Sequence, residues 1–163
     1  MDESLRLFES ITRKAHHFTE ADVLESVPQH PFDTRNVHQC LPQIVQDLFD
    51  NGHYAQATFE AFKYIDKLIQ KTAGTTQSGC KSMMQVFAGA SPQILLTANK
   101  STSEQDEQKG FKFLFAGSML AIRNPRGHEV SLRDTPDLCL DHLALGSMLL
   151  RRLEQAGYDV KMT

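Results

Sequence analysis

The sequence has few cysteines, no long apolar run and only a small net charge. Its three cysteines (Cys40, Cys80 and Cys139) are odd in number and far apart, which argues against a disulfide framework. No apolar run approaches the roughly 20 residues that span a bilayer. The acidic start, Met1-Asp2-Glu3-Ser4, lacks the basic-then-apolar order of a signal peptide. We therefore expect a soluble, cytoplasmic protein.

The sequence contains enough apolar material for one ordinary domain. Of the 163 residues, 40% are hydrophobic and 23% are charged, which excludes a disordered chain. The formal net charge of −3 argues against a surface that binds nucleic acid throughout. The segment from Lys109 to Arg152 nevertheless has seven basic and four acidic residues, so it carries +3 and the remainder −6. A local phosphate-binding site is compatible with this asymmetry.

Apolar residues recur at helical spacing in every long segment, and no segment alternates as a strand does. Asn51-Gly52 predicts a tight turn between two antiparallel helices, the second of which stops at Gly74. The predicted helices lie at Leu41–Phe49, from His53 to Gly74, at Cys80–Phe87 after the cap Ser78, from about Ser103 to Arg123, and from Asp134-Thr135-Pro136 to Leu153. The fold class is therefore predicted to be all-α.

Three further predictions concern less regular segments. The polar stretch Thr97–Lys109 is the expected mobile loop. Pro125 should push Asn124 out of helical dihedrals and end the preceding helix near Arg123. Residues 1–36 are predicted to form an N-terminal extension with helices at 4–14 and 20–27, followed by a helical bundle over 37–163.

Two patterns that suggest a binding site lack the residue spacing that such a site requires. Gly74–Ser82 nearly spells a phosphate-binding loop, but Cys80 separates the second glycine from the lysine and no strand precedes it. The closest groups of potential metal ligands lack the paired spacing of a zinc site, so no metal or other cofactor is predicted. These groups are His16-His17, His38-Gln39-Cys40, and Cys139 with His142.

The segment Arg123-Asn124-Pro125-Arg126-Gly127-His128 carries the remaining chemistry. An imidazole can take a proton from a 2′-hydroxyl or protonate a leaving 5′-oxygen, because its pKa lies near neutrality. A fixed guanidinium stabilises negative charge on the transition-state phosphate. Asn124 can hold the ribose or orient the imidazole. A simpler interpretation remains open, in which Arg123 neutralises a helix C-terminus and His128 is a solvated loop residue.

The pattern R-x-x-x-x-H after an apolar helix resembles the HEPN superfamily (higher eukaryotes and prokaryotes nucleotide-binding). A more specific resemblance, from about Val37 to Ala156, is to a prophage- and defence-associated HEPN family called Ymh-type. The blocks that carry it are Asn51–Ala57, Glu60–Lys63, Gly110–Gly117, Ile122–Glu129 and Leu149–Leu153. The first 36 residues fall outside it.

The resemblance implies an antiparallel HEPN-like bundle that acts as a metal-independent endoribonuclease, as toxins and anti-phage effectors do. It implies His128 as the acid or base, Arg123 as the phosphate ligand and Asn124 as the positioning residue. Arg126 and Glu129 are weaker candidates for RNA binding. The implied partners are RNA, a second copy of the chain, and an antitoxin or activating protein. We expect the dimer to form through the helices Phe111–Ile122 and Leu143–Leu150, which carry more apolar surface than one small bundle can bury.

Two other functions stay open at this point. Some HEPN domains bind RNA, nucleotides or proteins without cutting, and this chain could be such a binding module. Alternatively, the apolar helices could serve oligomerisation alone, in an interaction protein with no chemistry. Both Arg123 and His128 are present, which favours the enzyme.

Overall fold

Helices and their connections make up the part of the chain that the computed structural model describes, which is residues 4, 8–12, 29–129 and 131–162. The chain divides into two compact units, Met1–His30 and Pro31–Thr163. In the first unit Ser4 and residues 8–12 are helical. The helix predicted at 20–27 lies outside the described residues.

The second unit is a bundle of α-helices interrupted by one π-helical turn. Its elements are α1 (Pro31–Thr34), α2 (Gln43–Asp50), α3 (Tyr54–Ala73), α4 (Gly79–Val86), α5 (Thr102–Ser118), the π turn (Met119–Arg123), α6 (Asn124–His128) and α7 (Pro136–Gln155). The described residues contain no strand, so the all-α prediction is confirmed there. None of the described helices has both the length and the apolarity needed to cross a membrane.

Helix α3 is the centre of the bundle, because it contacts α2, α4, the π turn, α6 and α7. Its apolar stripe enters two clusters. The larger joins α3 to α4, α5, the π turn and the second half of α7, and Phe62, Phe115 and Leu149 are fully buried in it. The smaller joins α2, the start of α3 and the start of α7 around Val45 and Leu143. The buried side chains of α3 therefore link both clusters of the core.

The predicted helix ends are confirmed at the turns that depend on glycine. Gly52 adopts φ = 77° between α2 and α3, and Gly74 adopts φ = 64° after α3. These left-handed conformations favour a residue without a Cβ. Helix α7 begins as predicted, since the Thr135 hydroxyl accepts a hydrogen bond from the Leu138 N–H and Pro136 occupies the first turn.

The helix predicted from about Ser103 begins at Thr102, so the predicted mobile loop Thr97–Lys109 is wrong from that residue onward. Ser101 caps α5, because its hydroxyl accepts from the Glu104 N–H while the Glu104 carboxylate accepts from the Ser101 N–H. This capping box satisfies two donors that the helix itself leaves free. The buried Gln108 then ties α5 to the preceding segment, since its amide oxygen accepts from the Leu96 N–H and its amide nitrogen donates to the Ile94 carbonyl.

The prediction that Pro125 ends the helix near Arg123 is also wrong. Asn124 has helical dihedrals (φ = −64°, ψ = −46°), and α6 continues to His128. The Asn124 N–H donates to the carbonyl of Met119, five residues earlier, as a π turn requires. In a regular α-helix, the ring of Pro125 would clash with the backbone carbonyl four residues earlier. The π turn shifts the hydrogen-bond register just before Pro125, so the helix continues past the proline. Arg123 is therefore inside a helical segment, and His128 is the last residue of a helix.

Candidate active site

The π turn directs Arg123 against α3. Its guanidinium carbon lies 5.6 Å from the centre of the Phe59 ring, and its Nη2 lies 3.9 Å from Oδ2 of the buried Asp66. Its Nη1 donates to Oδ1 of Asn124 at 3.2 Å. The Nε is buried and has no hydrogen-bond partner among the described residues. The side chain is 24% exposed, so part of the guanidinium reaches the surface with donors to spare.

The short helix α6 aligns the other two predicted residues. Asn124 and His128 are four residues apart, so they lie on the same face of α6. His128 is exposed, and its ring has no hydrogen-bond partner in the described part of the chain. Because Asn124 also bonds to Arg123, the fold brings Arg123, Asn124 and His128 together as one surface group.

Phe59 supports this group and was not singled out from the sequence. A Cβ added to Gly127 would lie 2.7 Å from Cε2 of Phe59, which is closer than real Cβ contacts. The glycine therefore lets α6 approach the ring on which Arg123 also rests. The sequence shows Gly127 inside the motif, but only the packing of α6 on α3 reveals that Phe59 is the reason for it.

A second cation lies near the same ring. The Nζ of Lys63 is 5.8 Å from the centre of the Phe59 ring and forms hydrogen bonds of 2.9 and 3.1 Å with the carboxylate of Glu60. Both side chains are partly exposed, at 46% and 29%. Glu60 belongs to one of the blocks that carried the resemblance, and the structure gives it a surface ion pair.

Arg126 takes part in a buried ion pair. Its Nε and Nη2 donate to the two carboxylate oxygens of Asp134 at 2.6 and 2.7 Å, and its Nη1 donates to the Ile122 carbonyl at 2.9 Å. Only 7% of the Arg126 side chain and 2% of that of Asp134 are exposed. The RNA-binding role expected for Arg126 has no support in this geometry, because its guanidinium is already bound within the chain. Glu129 is exposed at the end of α6, and its role stays a prediction.

Two groups on α7 border this ion pair. Nδ1 of His142 lies 3.9 Å from Oδ2 of Asp134. Burial lowers the pKa of His142, and the charge of Arg126 lowers it further. Burial raises the pKa of the Cys139 thiol, to which the Thr58 hydroxyl donates a hydrogen bond. The surroundings of both side chains thus favour their neutral forms.

The structure adds a third residue to one of the groups of potential metal ligands. His38 and Cys40 gain a third member, Glu154, and one ligand atom from each lies within 4.8 Å of the others. However, the Cys40 N–H donates to Nδ1 of His38 at 3.1 Å, so Nε2 carries the proton that bonds to Glu154 at 2.9 Å. Neither ring nitrogen then has a free lone pair, and the three residues form a hydrogen-bonded link to α7. Among the other groups, His16-His17 lies outside the described residues.

The near match to a phosphate-binding loop has a structural explanation. The segment follows α3, which is a helix where such a loop requires a strand. Ser78 precedes α4 as predicted, but its hydroxyl makes no capping hydrogen bond. The first N–H of α4, that of Gly79, donates instead to Oδ1 of Asp66 at 2.9 Å.

Comparison with known proteins gives one family. A family model described as "Protein of unknown function (Hypoth_ymh)" matches residues 35–153. No curated protein and no solved structure matches the chain. The matched range includes all of α2 to α6 and most of α7, and with them every residue of the candidate site. The chain therefore belongs to the Hypoth_ymh family of proteins of unknown function.

Proposed function

We propose that this protein is a metal-independent endoribonuclease of the HEPN type, with Arg123, Asn124 and His128 as its catalytic residues. One observation carries the proposal. A partly exposed arginine with unused donors is bonded to Asn124, one helical turn before an exposed histidine. A cation and an imidazole at the surface, each a neighbour of Asn124, are the groups that RNA cleavage needs when no metal takes part.

The reaction follows from what each group can do. His128 as a base removes the proton of a ribose 2′-hydroxyl, and the 2′-oxygen attacks the adjacent phosphorus. The bond from phosphorus to the 5′-oxygen breaks, and that oxygen receives a proton from an acid. The products are a 2′,3′-cyclic phosphate and a 5′-hydroxyl. Arg123 binds the non-bridging oxygens as their charge increases, and Asn124 holds the guanidinium or the ribose.

The motif supplies one histidine in each chain, whereas the reaction needs both a base and an acid, and this supports a site shared by two chains. Helix α5 and the π turn expose Phe113, Leu114 and Leu120 by 50%, 44% and 59%, although Phe115 and Met119 on the opposite side are fully buried. This apolar face ends three residues before Arg123. We therefore propose that a second copy covers it and brings the second His128 toward the first. The Leu143–Leu150 half of the expected interface is largely internal, since Leu143, Leu149 and Leu150 are fully buried and Met148 is 40% exposed.

The test of the dimer is a charge placed on that face. Leu120→Asp should give a monomer in light scattering at micromolar concentration, whereas Leu132→Asp, which changes another exposed leucine elsewhere, should leave the dimer intact. The Leu120 variant should also lose cleavage activity. A wild-type protein that is already monomeric would contradict this part of the proposal.

The test of the chemistry is an analysis of cleavage products. Wild-type protein should cut RNA in the presence of EDTA, should not cut substrates without 2′-hydroxyls, and should leave 5′-hydroxyl ends. His128→Ala should lose about 10²–10⁴-fold in rate because general acid–base catalysis is removed. His53→Ala, which changes another exposed histidine, should retain the wild-type rate. Products with 5′-phosphates, or equal cleavage by the His128 variant, would refute the mechanism.

The biological role is proposed from the resemblance alone: a toxin or anti-phage effector held in check or activated by a partner. Expression in cells should then stop growth, and His128→Ala should relieve the arrest. Wild-type protein that binds RNA but cuts none in the presence of its cellular partners would instead favour a binding module.

A further inference from the structure

A buried carboxylate on α3 faces the guanidinium of Arg123. Asp66 is 1% exposed, and its Oδ2 lies 3.9 Å from Nη2 of Arg123. This separation is within ion-pair range but too long for a hydrogen bond. The attraction is nevertheless substantial, because charges in the interior are screened far less than those in water.

The second oxygen of Asp66 is already bound. Oδ1 accepts the N–H of Gly79 at 2.9 Å and so caps α4 in place of the Ser78 hydroxyl. Asp66 is therefore held at both ends of its side chain, by the backbone of α3 and by the hydrogen bond from α4 to Oδ1. The Asp66 carboxylate therefore keeps its position without Arg123, and it can serve as a fixed charge that orients the Arg123 side chain.

We propose that Asp66 is a positioning residue for Arg123, an inference that rests on the proposed function. Three contacts hold the guanidinium of Arg123 in place: the Phe59 ring beneath it, the hydrogen bond from Nη1 to Asn124, and the charge of Asp66 near Nη2. Asp66 attracts the cation without using one of its N–H donors in a hydrogen bond. The Nη2 donors stay available to a phosphate, while the guanidinium is prevented from turning away from the site.

Asp66→Asn tests this function with little change in shape. The amide oxygen still accepts the Gly79 N–H, so α4 keeps its cap, and only the charge is lost. We expect kcat to fall about 10²-fold, as displacement of a catalytic group by about 1 Å does, with KM changed by less than about threefold. Asp47→Asn, which changes an exposed aspartate on α2, should match the wild type.

The readout that separates positioning from mere structural support is a double-mutant cycle. In an Arg123→Gln protein, Asp66→Asn should cause no further loss of rate, because the group that it positions is absent. Losses that multiply would overturn the proposal, since Asp66 would then act independently of Arg123.

The same four proteins give a test that needs no activity. If the two side chains interact, the separate decreases in Tm of Asp66→Asn and Arg123→Gln should add up to at least about 2 °C more than the decrease in the double variant. Additive decreases would overturn the ion pair and with it the positioning role. A wild-type protein that cuts no RNA would refute the proposed function, and the Tm cycle would still decide whether Asp66 holds Arg123.

Discussion

Removing one member of the Arg126–Asp134 ion pair should destabilise the protein more than any change at the exposed site. In Arg126→Ala, the carboxylate of Asp134, which is 2% exposed in the native protein, loses both hydrogen bonds to the guanidinium. Breaking a buried pair of this kind costs about 3–5 kcal/mol. Domains have a total stability of about 5–15 kcal/mol, so the loss is a large part of the whole. At several degrees per kcal/mol, Tm should fall by about 10–20 °C.

The matched control is the exposed ion pair between Arg35 and Asp141. Its N–O distance is 3.1 Å, but the two side chains are 45% and 63% exposed. Solvent screens such pairs, and Arg35→Ala should cost less than about 1 kcal/mol. The free energy of unfolding of both variants is measured by urea denaturation followed by circular dichroism. If Arg126→Ala costs no more than Arg35→Ala, the buried ion pair does not stabilise the fold as argued.

A third variant separates stability from RNA binding. Replacing both partners (Arg126→Met with Asp134→Leu) leaves no charge unpaired, so most of the stability should return. If Arg126 has no part in RNA binding, this folded variant should bind RNA with an unchanged salt dependence. A weaker salt dependence, by about one phosphate contact, would restore the RNA-binding role expected from the sequence.

Three further predictions concern pH, packing and capping. Burial lowers the pKa of His142 below its usual 6.5, so the unfolded chain binds a proton at this residue more readily than the folded chain does. The stability that this residue contributes is therefore fully present above pH 6.5 and is lost as the pH falls below it. His142→Phe should flatten this dependence in urea titrations between pH 5 and 7.5, and an unchanged slope would assign it to other groups. Gly127→Ala should cost about 1–3 kcal/mol and reduce cleavage, because the new Cβ displaces Phe59. Gly110→Ala is the control, since a Cβ at this position has open space and should be neutral or stabilising. Equal effects of the two substitutions in thermal melts would contradict the close contact. Ser101→Ala should cost about 1 kcal/mol in the same melts by removing the cap of α5, and no change would mean that the cap contributes nothing.

Local chemistry determined most of the helices. The apolar repeat of α2 and α3, the glycines at 52 and 74, and the Thr135-Pro136 start of α7 act within one or two turns, so the sequence alone predicts them. Position along the chain also identified Arg123, Asn124 and His128 as a group. The helices and their ends do not depend on what packs against them, which is why the pattern is enough to predict them.

Other features depended on interactions that sequence rules rank too low. The Ser101–Glu104 capping box decided between two overlapping expectations, a polar loop to Lys109 and a helix from about Ser103. The π turn let the helix pass Pro125, although the general preference of the residue before proline predicts a stop. In both cases a specific hydrogen-bond arrangement outweighs an average propensity.

Tertiary structure alone decided what surrounds the motif. The sequence shows Arg123 and Arg126 as two cations three residues apart, and the resemblance alone favours Arg123. Only the tertiary structure directs Arg123, on the π turn, to Phe59 and the buried Asp66 on α3, and Arg126, on α6, to the buried Asp134 in the segment before α7. Asp66 lies 57 residues from Arg123 and Asp134 lies 8 residues from Arg126, and each pairing joins different elements, so neither follows from the spacing within one helix. For this reason the sequence located the motif, and the fold determined which of its charges remains available to a substrate.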